Sequence, residues 1–262
     1  MKLDVQNIGF QYTRGRDVFR DVNFTLREGE TLSILGVNGA GKSTLLSCLA
    51  GLLRPKEGTI LLDGKPLSDM SRKEIARCVG YVPQLHGSSF AYSVLEFAVM
   101  GRTPYIPPYG TPSKEDYAIA MDKLEQVGMG RMANKVFTEI SGGEQQLTMI
   151  ARVLTQEPKL ILLDEPTNHL DYGNQYRTVD IMKQLAEAGY IVITTTHNPD
   201  HALKLGGKAA ILTPGGSLRV GLAEAELTPE RLSELYGIPI GVMDSAEAGR
   251  RLCYTKNAGG NL

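Results

Sequence analysis

At 262 residues the chain is long enough for one domain or two and for a full apolar core. Its apolar and charged fractions, 42% and 22%, are those of an ordinary soluble globular protein, and a formal net charge of −1 leaves no basic field to draw it onto nucleic acid or anionic lipid. No apolar run approaches the ~18 to 20 residues that span a bilayer, the opening MKLDVQNIGF lacks a signal-peptide core, and the scattered Cys48, Cys78 and Cys253 fit a reducing cytosol better than a disulfide framework or a cysteine metal site.

Short apolar runs alternate with helical patterns, which predicts an α/β core with a parallel sheet and no internal repeat. TLSIL (Thr31 to Leu35) reads as a strand that ends at glycine and leads into a helix through KSTLLSCLA. A second run, VGYVP, ends at Gln84. Between Tyr92 and Glu157 the pattern changes: Pro104, Pro107 and Pro108 break it, and the rest reads as helices without a strand. Residues 91–157 are therefore expected to form a helical subdomain inserted into an α/β core made of 1–90 and 158–225. LILL (Leu160 to Leu163) is a buried strand ending in two acids, and YIVITTT (Tyr190 to Thr196) is a β-branched strand ending at His197. Residues 226–262 form a C-terminal extension, and its last residues, KNAGGNL, read as a frayed end.

GVNGAGKST fits G-x-x-x-x-G-K-[ST], after a strand and opening a helix. Gly36, Val37, Asn38, Gly39, Ala40 and Gly41 can turn successive backbone N–H groups inward around phosphates, where the helix N-terminus adds its positive dipole end. Lys42 would reach the β- and γ-phosphates, the Ser43 hydroxyl would ligate Mg²⁺, and Thr44 continues the loop. The plain alternative is a glycine-rich turn with a surface lysine, and the strand-loop-helix context argues against it. Kinases, GTPases and motor ATPases share such a loop.

Asp164, at the end of LILLDE, would stand beside the phosphate loop and hold Mg²⁺ through water. Glu165 could polarise water for attack on the γ-phosphate. Alone, two acids after a strand also begin many solvated loops; the phosphate loop upstream gives them a purpose. Gln84 could sense Mg²⁺ or the lytic water, and His197 could contact the γ-phosphate and hold Glu165 in place. Singly, each also reads as a satisfied polar residue at a loop start. His86, His169 and His201 lack metal-site spacing and read as structural or solvent-facing.

ISGGEQQL (Ile140 to Leu147) poses a conflict. Ser141 and Glu144 form a capping box, and Leu147, Ile150, Ala151 and Leu154 recur on one helical face. Yet Gly142 and Gly143 oppose that helix by roughly 1 kcal/mol each against alanine.

With these residues assembled, the chain resembles an ABC-type ATPase, the nucleotide-binding subunit of an ATP-binding-cassette transporter. The resemblance runs in family order through Tyr12, GVNGAGKST, Gln84, ISGGE, LILLDE, NHLD (Asn168 to Asp171) and His197. It implies a P-loop NTPase core of RecA-like type with an N-terminal antiparallel β region, a cassette over 1–225, and the signature motif in the inserted helices. ATP and Mg²⁺ are implied with it. Tyr12 would stack on adenine, Ser43, Gln84 and Asp164 would surround Mg²⁺, and Glu165, His197 and Gln84 would serve catalysis. In this family two cassettes pack head to tail, so Ser141, Gly142 and Gly143 of one copy would close on an ATP held by the phosphate loop of the other. Glycine admits phosphate at backbone contact distance, which resolves the conflict. Departures from the family pattern are Val37 for proline or a polar residue, Ile140 for leucine, Glu144 for glutamine, and Gln146 and Leu147 in place of arginine-rich positions. None removes a phosphate ligand or the base.

Two segments resemble the branch that imports metal chelates of iron–siderophore, haem, cobalamin or molybdate type. FAYSVLEFAVMGR (Phe90 to Arg102) follows Gln84, where the family docks a coupling helix of the permease; Val94, Leu95, Ala98 and Val99 would pack inward. LTPERLSELYGIPI (Leu227 to Ile240) resembles that branch's C-terminal segment. The expected setting is peripheral, on the cytoplasmic face of the membrane. The expected partners are a second copy, permease subunits docked along Gln84 to Arg102, and indirectly a substrate-binding protein, with no nucleic acid. The rival readings are a soluble cassette in translation or cluster assembly, since EPTNHLD occurs there too, and a P-loop kinase or switch protein, which would leave ISGGE and His197 without a purpose.

Overall fold

A computed structural model describes residues 1–12, 15, 17–84 and 91–256. His86, Phe90 with the rest of 85–90, and the expected frayed end at 257–262 lie outside the described residues.

The chain opens with β1 (Lys2–Gln11) and β2 (Asp17–Arg27), paired antiparallel so that Leu3 faces Leu26 and Val5 faces Phe24. Alternation along β1 sends Leu3 and Val5 inward, as a half-buried strand requires. β3 (Thr31–Leu35), buried along its whole length, leads through the phosphate loop into α1 (Lys42–Leu49). β4 (Glu57–Leu62) and the short β5 (Lys65–Pro66) return to the first sheet, giving the order β2-β1-β4-β5. The expected N-terminal antiparallel region is this sheet. α2 (Arg72–Cys78) runs directly into β6 (Val79–Val82).

The following segment is helical: α3 (Val94–Val99), α4 (Lys114–Gln126) and α5 (Gly142–Thr155), with short 3-10 turns between them. Ser93, Ser113 and Ser141 each cap a helix in a box with the acid three residues on. Val94, Ala98 and Val99 of α3 and Leu147, Ile150, Ala151 and Leu154 of α5 are buried together, while Leu95 is partly buried against them. Phe97 stacks on Phe137 at 4.0 Å between centroids.

The chain then alternates as β7 (Leu160–Leu163), α6 (Tyr172–Glu187), β8 (Ile191–Thr196), α7 (Pro199–Leu205), β9 (Lys208–Leu212) and β10 (Leu218–Leu222). The large sheet has the order β10-β9-β3-β8-β7-β6, parallel except for β10. Its register places Leu35 opposite Thr196, Leu163 opposite Thr194 and Val82 opposite Leu163. The parallel strands thus end nearly level, and the residues that follow them emerge at one sheet edge, the usual ligand edge of an open α/β sheet.

α8 (Ala223–Glu226), α9 (Pro229–Tyr236) and a hairpin of β11 (Ile240–Ser245) and β12 (Arg250–Thr255) complete the described chain. The C-terminal segment is not a detached tail. Leu227, Leu232 and Ile240 are buried in one small core with Leu35, Ala202 and Ile211. Among the described residues no helix is long and apolar enough to cross a membrane.

Candidate nucleotide site

The level strand ends enclose an open cleft of 1250 Å³ between the phosphate loop and the loops after β6, β7 and β8. Gly41 has φ +104°, and a Cβ there would lie 2.4 Å from Val18 Cγ1, so this position demands glycine on both backbone and steric grounds. α1 starts without a side-chain cap, whereas α2 to α7 and α9 each have one. Its first-turn N–H groups are left to whatever the loop holds, the arrangement that binds anions at helix N-termini. Lys42 lies under the loop, 5% exposed, donating to the Gly36 carbonyl at 2.8 Å and pairing with Glu165 Oε1 at 3.1 Å.

Glu165 sits at φ +46°, an uncommon left-handed backbone for a non-glycine residue. Its N–H donates to Thr195 Oγ1 at 2.8 Å, and the same hydroxyl donates to Asp164 Oδ1 at 2.7 Å. One buried threonine therefore fixes the two acids relative to each other. Burial pushes the Glu165 carboxyl up, but the hydrogen bond and charge of Lys42, with help from Asn168 and His197, outweigh it and hold the group below its ordinary value. Asp164 is 4% exposed. The neighbouring Tyr81 phenol is pushed up to about 12, by burial first and by the Asp164 charge second, so it stays a donor toward that carboxylate.

His197 reaches this group differently from the expectation. Its Nδ1 lies 3.6 Å from Glu165 Oε2, beyond hydrogen-bond reach, and its side chain is 54% exposed. Asn168 Nδ2 takes that carboxylate oxygen instead, so Lys42, Asn168 and Thr195 hold Glu165. His201 is buried and bonded to Thr167 and Asn198, and His169 is exposed. Tyr12 stands at the cleft mouth, 55% exposed, its hydroxyl 3.1 Å from Thr44 Oγ1 and its ring edge-on to Phe10. Val37, Asn38, Gly39, Ser43 and Gln84 also line the cleft, and Gly36 and Ala40 belong to the loop that walls it.

Ser141, Gly142 and Gly143 do not line this cleft. Ser141 and Gly142 are exposed at the start of α5, with Ser141 N–H donating to Glu144 Oε2 at 2.8 Å and Glu144 N–H donating to Ser141 Oγ at 3.3 Å. The two glycines part company here. A Cβ on Gly143 would lie 2.5 Å from Asn174, whereas a Cβ on Gly142 would meet nothing within 4 Å among the described residues. Packing within the chain accounts for the second glycine and not for the first.

Ser43, Gln84 and Asp164 are hard oxygen donors, and no cluster of three or more His, Cys, Asp or Glu suited to a metal is found among the described residues. Few protein oxygens completed by phosphate and water is a donor set that fits Mg²⁺ and no dedicated cage. Sequence reasoning missed Thr195, Tyr81, Tyr236 and the bond made by Asn168. The run of threonines closing a β-branched strand was the available signal, because hydroxyls buried in a sheet need partners.

The ABC transporter family profile matches residues 19–168. The molybdate import ATP-binding protein MolC of Haemophilus influenzae is 38% identical over 239 residues, covering 91% of this chain and 89% of that protein. The hemin import ATP-binding protein HmuV of Gloeobacter violaceus is 36% identical over 242 residues, covering 90% of this chain and 87% of that protein. Among solved structures, a metal-chelate-type ABC transporter in an inward-facing conformation matches with a TM-score of 0.85 and 35% identity over 96% of this chain and 95% of that one. With a family profile over more than half of the chain and relatives above 30% identity along nearly its whole length, the chain belongs to the ABC transporter family as an ATP-binding subunit that hydrolyses ATP.

Proposed function

We propose that this chain is the motor of a metal-chelate importer, working as two copies against a membrane permease. The observation that carries the two-copy part is the division of the site. The cleft holds Lys42, Glu165 and the phosphate loop, while Ser141 and Gly142 stand exposed elsewhere, and nothing among the described residues calls for the bare backbone of Gly142. The capping box takes the N–H groups of Ser141 and Glu144, and those of Gly142 and Gly143, the remaining first-turn donors of α5, would suit a γ-phosphate presented by a second copy. The metal-chelate part rests on relatives named for molybdate and hemin import and on the metal-chelate-type structure. The permease would dock along Gln84 to Arg102, of which α3 is the described helix, and the chain would sit peripherally on the cytoplasmic face of the membrane.

The mechanism follows from the contacts. Tyr12, its ring fixed by Phe10 and Thr44, offers a face to adenine. Lys42 must exchange Glu165 for phosphate oxygens, which leaves Glu165 held by Asn168 and Thr195 with one oxygen released toward water. Glu165 then orients and polarises that water. His197, 3.6 Å from the carboxylate and exposed to the cleft, would contact the γ-phosphate. Mg²⁺ bound among Ser43, Gln84 and Asp164 would neutralise charge on the β- and γ-phosphates. Closure of the second copy excludes water and adds the donors of α5.

Analytical ultracentrifugation of a Glu165→Gln variant tests the paired site: saturating Mg-ATP should shift it from monomer to dimer, and a persistent monomer overturns the shared-site reading. Mild detergent extraction of the tagged chain from native membranes tests the transport role. A polytopic membrane protein in equal amount supports the importer; ribosomal or purely soluble partners replace it with the soluble cassette.

A further inference from the structure

The loop that carries His197 is gripped from the C-terminal segment. The Tyr236 hydroxyl, at the end of α9, donates to the His197 backbone carbonyl at 2.8 Å, and Tyr236 lines the same cleft as His197 and Asn198. Burial pushes the Tyr236 phenol well above its usual range, so the hydroxyl keeps its proton. Three residues after His197, Asp200 receives both terminal nitrogens of Arg250 from β12, at 2.9 and 2.8 Å, and the Tyr176 hydroxyl at 2.8 Å. Two parallel N–H···O bonds fix direction as well as distance. α9 is itself seated through Leu232 in the small core that contains Leu35, the last residue before the phosphate loop.

These contacts do little for the catalytic carboxylate directly, since none touches Glu165. They act on His197 and on the first turn of α7 directly after it; the histidine has no tight side-chain bond to Glu165, and its ring stands just outside hydrogen-bond distance of it. Displacement of that backbone would carry the imidazole with it, toward or away from Glu165 and a bound γ-phosphate. We propose that α9 and the β11–β12 hairpin form a positioning device for His197, with Tyr236 and Arg250 as its two contact residues. This rests on His197 acting at the γ-phosphate, as proposed above.

The test uses the full chain with Mg-ATP, comparing wild type with Tyr236→Phe, Arg250→Gln, Arg250→Lys, His197→Ala and the Tyr236→Phe/His197→Ala pair. Loss of one neutral hydrogen bond should lower kcat about two- to tenfold in Tyr236→Phe with KM unchanged. Arg250→Gln should lower it at least as far, and Arg250→Lys should recover part. In the His197→Ala background, Tyr236→Phe should add nothing, as followed by single-turnover hydrolysis of labelled ATP. Without nucleotide, amide hydrogen exchange in Tyr236→Phe should rise at residues 197–201 and stay unchanged in β3 and α1. Wild-type kcat with wild-type exchange in Tyr236→Phe, or an equal loss with and without His197, overturns the positioning role. If His197→Ala itself turns over at the wild-type rate, the reading of His197 falls first; if only that variant is impaired, the positioning inference fails alone.

Discussion

The N-termini of α1 and α5 bear the same chemical feature, first-turn N–H groups behind glycine, and the chain treats them oppositely. At α1 its own residues finish the site. Gly41 is required by Val18, Lys42 is threaded under the loop, and Glu165, Asn168 and Thr195 complete a connected set of polar contacts. At α5 the helix is capped and its apolar face buried, so the fold is satisfied, yet Gly142 meets nothing. Packing within the chain explains the glycine at one terminus and leaves Gly142 at the other unexplained. The shared site proposed above would produce that asymmetry.

The largest expected effect falls on the completed side. Glu165→Gln should reduce kcat by about 10²- to 10⁴-fold, the range of a lost general base. Affinity for ATP should survive, because the variant removes the partner that Lys42 must leave for phosphate. Steady-state ATPase assays beside calorimetric nucleotide binding separate the two. Wild-type turnover in the variant would remove Glu165 from the chemistry and dissolve the contrast between the two helix ends.

The glycine pair breaks or sharpens the comparison more finely. Gly142→Ala should leave the free chain as stable as wild type or raise stability by up to ~1 kcal/mol, since the new methyl fills open space on a helix. Its turnover and ATP-driven dimerisation should nevertheless fall, about tenfold or more, by obstructing backbone donors to phosphate. Gly143→Ala should behave in the reverse order, losing roughly 1–3 kcal/mol of stability through overpacking against Asn174. The Asn174 side chain donates to Asp171 Oδ2 at 2.7 Å, so it gives way only by losing that bond, while its backbone N–H still caps α6 through Asp171 Oδ1. Thermal melts and ATPase rates on the two variants check this, and identical behaviour of the pair would erase the distinction.

Legibility in the sequence divides along the same line. β3, β7 and β8 stood out as apolar runs, and the phosphate loop as a motif in its required context. The α5 cap and apolar face were readable because capping boxes and helical periodicity are local. What could not be read joins residues distant in sequence. Thr195 couples Asp164 to Glu165 across neighbouring strands, and its role depends on a register that no local pattern specifies. The β11–β12 hairpin and the Arg250–Asp200 pair were invisible for the same reason. His197 lines the cleft, but its side chain stops 3.6 Å short of the expected hold on Glu165, because motif order locates a residue and not its rotamer. For Gly142 and Gly143, the sequence assigned one purpose to both; only packing against Asn174 separates them.

The smallest effect belongs to the C-terminal grip, a property of the single chain that should appear without nucleotide. Burial pushes the Asp200 carboxyl up, but Arg250, Tyr176 and the Cys253 N–H outweigh it and hold its folded-state value below the ordinary one. Between the two values the unfolded chain binds the additional proton, so stability rises with pH there. The contribution is therefore complete above an unfolded aspartate pKa of ~3.9 and disappears as pH falls through the lower folded value. Thermal melts of wild type and Asp200→Asn should differ by a constant amount from neutral pH down to mild acid and converge in strong acid. A difference that stays flat through that range would mean that the Arg250 pair does not favour the ionised form. The loop of His197 would then be held by Tyr236 alone, and the cleft would be less complete within one chain than its contacts indicate.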